Sequence, residues 1–139
     1  MGKTANATIK MVDGLQMIGV ADSGHAIVVD ASPDKKASTP MELVLIALGS
    51  CTAVDVIVIL RKKRLDLRGL EINVAGERAE TDPMVYTHLK LHYKLTGRGL
   101  PPEAVKKTID LSQNKYCSVL GMISKTATVE YDLEIIEAD

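Results

Sequence analysis

Residues 39–63 read Thr-Pro-Met-Glu-Leu-Val-Leu-Ile-Ala-Leu-Gly-Ser-Cys-Thr-Ala-Val-Asp-Val-Ile-Val-Ile-Leu-Arg-Lys-Lys, and the fold turns on this run. It opens with a helix start: Thr39 at the N-cap, Pro40 at the first helical position, and Glu42 three residues on, spaced to close a capping box. For five turns the chain is then apolar on almost every face, which predicts a buried helix. Gly49, Ser50 and Cys51 interrupt the bulk and set a thiol in the apolar bed. Such a thiol is either inert packing or the centre of a site. Met41 to Leu60 also matches the span of a bilayer core. Against a membrane reading, Glu42 and Asp55 would each cost roughly 2–3 kcal/mol at mid-membrane, and the flanking sequence is amphipathic and strand-like. A core helix wrapped by sheets is the better reading, with no membrane partner.

Working outward, the 139 residues fit one domain, 1–139. Seventeen basic residues balance eighteen acidic ones, which gives no electrostatic case for nucleic acid. The first residues have no apolar stretch of the secretory kind, so the expected location is cytoplasmic. Phe and Trp are absent, so the core is aliphatic and methionine-rich.

Ahead of the helix, Ala7–Met11, Leu15–Val20 and His25–Val29 read as three strands in meander order, turned at Asp13-Gly14 and Ser23-Gly24. A polar loop, 31–40, delivers the chain to the helix. Behind it, Arg61-Lys62-Lys63-Arg64 complements the helix dipole. Leu65–Glu80 and Val85–Leu95 alternate as long strands, with Val85, Thr87, Leu89, Leu91 and Tyr93 inward and Tyr86, His88, Lys90, His92 and Lys94 outward. His88 and His92 share a face, but four strand residues separate them by about 13 Å, too far for one ion. No metal or cofactor is expected. Pro101 or Pro102 and Glu103 open a second helix running to about Asn114. Cys117 then falls near the start of a short helix, where free amides and Lys115 favour a thiolate. Residues 129–135 form a last strand with one wet face.

The cysteines, 66 positions apart and without a Cys-x-x-Cys, do not suggest a structural disulfide in a reducing compartment. This order of elements, with Thr-Pro-Met-Glu-Leu…Ala-Leu-Gly-Ser-Cys51 and Asn-Lys-Tyr-Cys117-Ser-Val, resembles the OsmC/Ohr family of osmotically inducible and organic hydroperoxide resistance proteins. The resemblance spans nearly the whole chain. It implies an α+β fold with antiparallel sheets wrapped around a long buried central helix, in an intertwined homodimer with sites at the interface. It also implies a thiol-dependent peroxidase, in which Cys51 attacks an organic hydroperoxide and Cys117 resolves the sulfenic acid to a disulfide that a dithiol reductant reopens.

Two departures stand out. The family's peroxidases pair an N-terminal arginine with a glutamate near the helix start, whereas here the hairpin reads Gly14-Leu15-Gln16-Met17, no arginine precedes Arg61, and Met41 holds the glutamate's place. Glu42 lies one step later, rotated by about 100°, and reads as a cap at least as well as a site residue. Asp55, four residues past Cys51, shares its face. Unpaired, it raises a nearby thiol's pKa; paired with a lysine, it orients that lysine. Lys35 or Lys36 would be the stand-in for the arginine. The alternative function is a non-catalytic protein binding a small apolar or thiol-reactive ligand at the dimer interface.

Overall fold

The computed structural model describes residues 2–139. It has two compact units, Met1–Val44 and Leu45–Asp139, divided within the first turns of the long helix. The division follows from the pairing, because each unit carries a three-stranded sheet closed on its own strands.

In the first unit β1 (Ala7–Asp13), β2 (Gln16–Ala21) and β3 (Ala26–Asp30) form the expected antiparallel meander. Gly14 supplies the left-handed residue of the first turn, at φ +57°. The loop after β3 is organised by one buried carboxylate. Asp30 accepts from the Ser32 amide at 2.8 Å, the Ser32 hydroxyl at 2.5 Å, the Lys36 amide at 2.9 Å and the Gln16 side chain at 3.4 Å. These donors, Ser32 first, pull its pKa down to about 2. At the end of the loop the capping box forms: the Thr39 amide donates to Glu42 at 2.8 Å, and the Glu42 amide donates to the Thr39 hydroxyl at 3.2 Å.

Helix α1 (Pro40–Lys62) follows. Burial by its own chain is limited to one stripe, Leu48, Thr52, Val56 and Leu60, spaced four apart. Ile46, Val54 and Val58 remain 56%, 58% and 45% exposed. The expectation of a helix buried all round therefore fails within a single chain, since one small sheet covers one face only. By length and composition α1 is also apolar enough to cross a membrane.

The second unit builds its sheet from β4 (Asp66–Arg78), β5 (Tyr86–Arg98) and β6 (Thr128–Glu137), with β5 central. The sheet is mixed: β5 is antiparallel to β4 but parallel to β6. A parallel neighbour needs a long crossover. Here it is made by α2 (Pro102–Leu111), a π turn (Ser112–Tyr116) and α3 (Ser118–Ile123). Leu89, Leu91 and Tyr93 are buried as read from the sequence, but Tyr86 is buried and Thr87 exposed, the reverse of the expectation. A register shift at Glu77/Arg78 changes the phase there. Gly76 makes room for the Tyr86 ring, which a Cβ would meet at 2.8 Å. Across the sheet, Gly49 lets α1 approach β4, with only 3.2 Å between its added Cβ and Val74.

Candidate functional site

Two segments carry the thiols. On α1, Cys51, Asp55, Val58 and Lys62 recur every three to four residues and so share one face. The other segment is the π turn. Its wider loop closes with the Cys117 amide donating to the Ser112 carbonyl at 2.8 Å, and π turns recur at functional sites because the extra residue re-aims the side chains around it. Here it brings Ser112, Gln113 and Cys117 toward α1 and β5.

Cys51 and Cys117 are both free thiols, the first half-buried and the second buried. The two are neighbours, close enough for Cys51 to act on the Cys117 thiol. Cys117 is the N-cap of α3, and the Leu120 amide donates to its sulfur at 3.5 Å. The sequence reading of a thiolate-favouring helix start is correct about the position and wrong about the balance. Burial is the largest effect and pushes the Cys117 thiol up to about 11; the Leu120 amide pulls the other way, while Cys51 and the charge of Asp55 add to the rise. Lys115 points away from this balance, with its ammonium 5.2 Å from the Tyr116 ring centre.

Around the thiols lies a polar network that sequence reasoning missed. Ser112 Oγ donates to Asp55 Oδ2 at 2.8 Å. Thr52 Oγ1 lies 2.8 Å from both Ser112 Oγ and Tyr93 Oη. Gln113 Nε2 donates to Tyr93 Oη at 3.0 Å. Thr52, Tyr93 and Ser112 are fully buried, and burial raises the Tyr93 pKa. A signal was present in the sequence: Thr52 lies in the apolar run of α1 and Tyr93 on the inward face of β5, and buried hydroxyls need partners.

The supporting residues divide. Asp55 belongs to the site and is held by Ser112; within its own unit no lysine or arginine forms an ion pair with it. Glu42 closes the capping box, and its pKa is lowered by the Thr39 amide and hydroxyl. Lys36 is engaged through its backbone amide on Asp30. His88 bonds Thr128 and Glu130, and His92 bonds Asp132 and Glu134, all on the outer face of β5 and β6.

Two apolar hollows flank the site. One, of about 390 Å³, is lined by Leu45, Ile46, Gly49, Ser50, Leu70 and Val74 among others. The second, of about 530 Å³, runs along the Cys51 face of α1 between Val54, Asp55, Val58, Ile59, Leu111 and Tyr116, with Lys62 at its edge.

Comparisons with known proteins place this α+β chain, with its long apolar helix and two neighbouring thiols, in one family. A family described as OsmC-like protein matches residues 33–132. Protein YhfA of Escherichia coli K12 is 42% identical over 132 residues, covering 95% of this chain and 98% of its own length. A hypothetical protein from Aquifex aeolicus VF5 superposes with a TM-score of 0.90 at 27% identity, covering 99% of this chain and 100% of its own. The organic hydroperoxide resistance protein OsmC of Legionella pneumophila shares the fold, with a TM-score of 0.69 at 14% identity over 95% and 97% of the two chains. The chain belongs to the OsmC family.

Proposed function

We propose that this protein is a thiol-dependent peroxidase that reduces organic hydroperoxides to alcohols. The observation that carries the reading is the closeness of Cys51 and Cys117, 66 positions apart in the sequence, with Cys51 the more accessible thiol and an apolar cleft along the same face of α1. The chemistry balances with these two sulfurs alone. The Cys51 thiolate attacks the distal peroxide oxygen, the O–O bond breaks, and the alkoxide takes a proton to leave as the alcohol. Cys51 is then a sulfenic acid. The Cys117 sulfur bonds to it, water leaves, and a dithiol reductant reopens the disulfide by exchange. An apolar cleft favours fatty or aromatic hydroperoxides over hydrogen peroxide. The same description, organic hydroperoxide resistance protein, is given to the Legionella pneumophila neighbour.

In this reading the working unit is a cytoplasmic homodimer. The exposed Ile46, Val54 and Val58 on α1 support it, because an apolar helix face of this length is stable in water only when something covers it. A stable monomer in sedimentation or scattering would sink the dimer. The peroxidase itself is tested by mixing reduced protein with cumene hydroperoxide or hydrogen peroxide in stopped flow and counting thiols afterwards. Fast loss of both thiols with the organic peroxide, reversed by a dithiol and absent in Cys51→Ser, is the expected result. Retained turnover in Cys51→Ser refutes it.

A second reading rests on the absence of any arginine before Arg61 and on Met41 at the glutamate's place. On this reading the apolar cleft beside Cys51 binds a small apolar or thiol-reactive ligand without turnover. Thiol loss with cumene hydroperoxide no faster than that of free cysteine, together with a ligand retained in native mass spectrometry, favours it.

A further inference from the structure

The hydrogen bonds beneath the thiols have a direction. A carboxylate only accepts, so Ser112 gives its single proton to Asp55. Thr52 must then donate to Ser112, Tyr93 to Thr52, and the Gln113 amide to Tyr93. Every proton in the chain points toward Asp55. Such a network is costly in an aliphatic core unless every member is satisfied. Among the described residues no buried side-chain nitrogen or oxygen lacks a partner. An apolar set would fill the same space, so the hydroxyls call for another explanation.

Their placement suggests one. Thr52 and Asp55 follow Cys51 on α1, Ser112 and Gln113 lead into Cys117, and Tyr93 comes from the central strand of the sheet. The chain therefore fixes how the two thiol-bearing segments meet, and it holds one carboxylate beside them. The charged and titratable groups that act on Cys117 are Cys51 and Asp55 from α1; Tyr93 from β5 is in turn influenced by Cys117 and Asp55. Lys62 lines the same cleft as Asp55 without an ion pair to it.

We propose that Asp55, aimed by the chain from Gln113 through Tyr93, Thr52 and Ser112, is a positioning residue that keeps the thiol proton on Cys117 until Cys51 has been oxidised, so that the two cysteines act in a fixed order. This rests on the reading of the pair as a redox couple. When Cys51 is a sulfenic acid, the Cys117 sulfur bonds to the Cys51 sulfur and the S–O bond breaks with its electron pair on oxygen. The proton released by Cys117 converts that oxygen to water. The Cys51 sulfur is reduced, the Cys117 sulfur is oxidised, and no further reductant is needed. Asp55 holds that proton in place beforehand, because a negative charge beside a thiol opposes its ionisation.

The test uses no peroxide, so its failure is distinct from failure of the peroxidase reading. In a Cys51→Ser background Cys117 is the sole thiol, and its iodoacetamide rate is followed from pH 7 to 11. Adding Asp55→Asn should shift the profile to lower pH, with a rate about three- to tenfold faster in the middle of the range. Thr52→Val, which cuts the chain, should shift it the same way, and Thr52→Ser should restore it. Coincident profiles overturn the proposal. So does a higher limiting rate with the midpoint of the profile unmoved, the mark of a loosened site, or a Thr52→Ser that behaves like Thr52→Val.

Discussion

Asp30 and Asp55 are both carboxylates bound by a serine hydroxyl, and their surroundings differ in a way that separates scaffold from site. Asp30 collects two backbone amides and a hydroxyl from the loop leading to α1, and a side-chain amide from Gln16 at the start of β2. Its bonding capacity is used up in holding that loop. Asp55 receives one serine hydroxyl, at the end of a chain that reaches both thiol-bearing segments. A saturated carboxylate organises backbone, whereas an under-coordinated one next to a pair of thiols keeps its charge available to act on them.

The largest expected effect breaks the comparison at its serines. Ser112→Ala removes the donor to Asp55 and a partner of Thr52 inside a fully buried site, and should cost about 1–3 kcal/mol in urea unfolding. Ser32→Ala leaves Asp30 three other donors and should cost distinctly less. Equal losses would mean that Asp55 is no less well supported than Asp30. Tyr93→Phe comes next. It keeps the ring, which stands edge-on to Tyr131 with 5.6 Å between centroids, but removes the donor to Thr52 and the acceptor of Gln113. A loss of about 1 kcal/mol is expected, together with an earlier rise of Cys117 alkylation with pH. A stability loss with an unchanged alkylation profile would confine Tyr93 to packing.

Asp30 offers the converse experiment, in acid. Its folded pKa lies near 2, below the ordinary value of 3.8. The stability it lends is therefore complete above about pH 4 and is lost as the pH falls toward 2. Asp30→Asn should flatten that acid limb and lower the melting temperature at pH 7, as read by thermal circular dichroism. Asp55→Asn should leave the limb in place, and if it also flattened the limb the contrast between the two carboxylates would fail.

Legibility in the sequence followed the same division. The capping box of Thr39 and Glu42 and the alternation of β1 to β3 are local, and they stand where the residues put them. The parallel placement of β6 and the phase change at Tyr86 are not local. Alternation in residues 129–135 says which side chains face inward but not which way the strand runs, and the shift at Glu77/Arg78 has no residue signature. Asp55 was legible from its spacing to Cys51. Ser112 was not, because a π turn looks like any helix end until its hydrogen bonds are known. The site was thus half visible: α1 displayed its thiol and acid, while the segment that meets them is aimed by an irregular turn.

The smallest effect sharpens the comparison at a third carboxylate cluster, on the outer face of the second sheet. His92 bonds Asp132 through Nδ1 at 2.5 Å and Glu134 through Nε2 at 2.9 Å, bridging β5 to the parallel strand β6. Only the doubly protonated ring donates from both nitrogens, and these bonds, Glu134 first, raise its pKa above the ordinary 6.5. The resulting stability is complete below about pH 6.5 and fades as the pH climbs through the raised folded value. The cluster is open to solvent and screened by salt, so the change should be slight and smaller at high ionic strength. Urea midpoints at pH 6 and pH 9 should differ for the native chain and converge for His92→Gln. Here both carboxylates serve the sheet and neither reaches a thiol, so His92→Gln should leave the alkylation profile of Cys117 unmoved. A shifted profile would mean that charge on the outer face of β5 reaches the buried chain through Tyr93, and the influence assigned to Asp55 would then have to be shared with it.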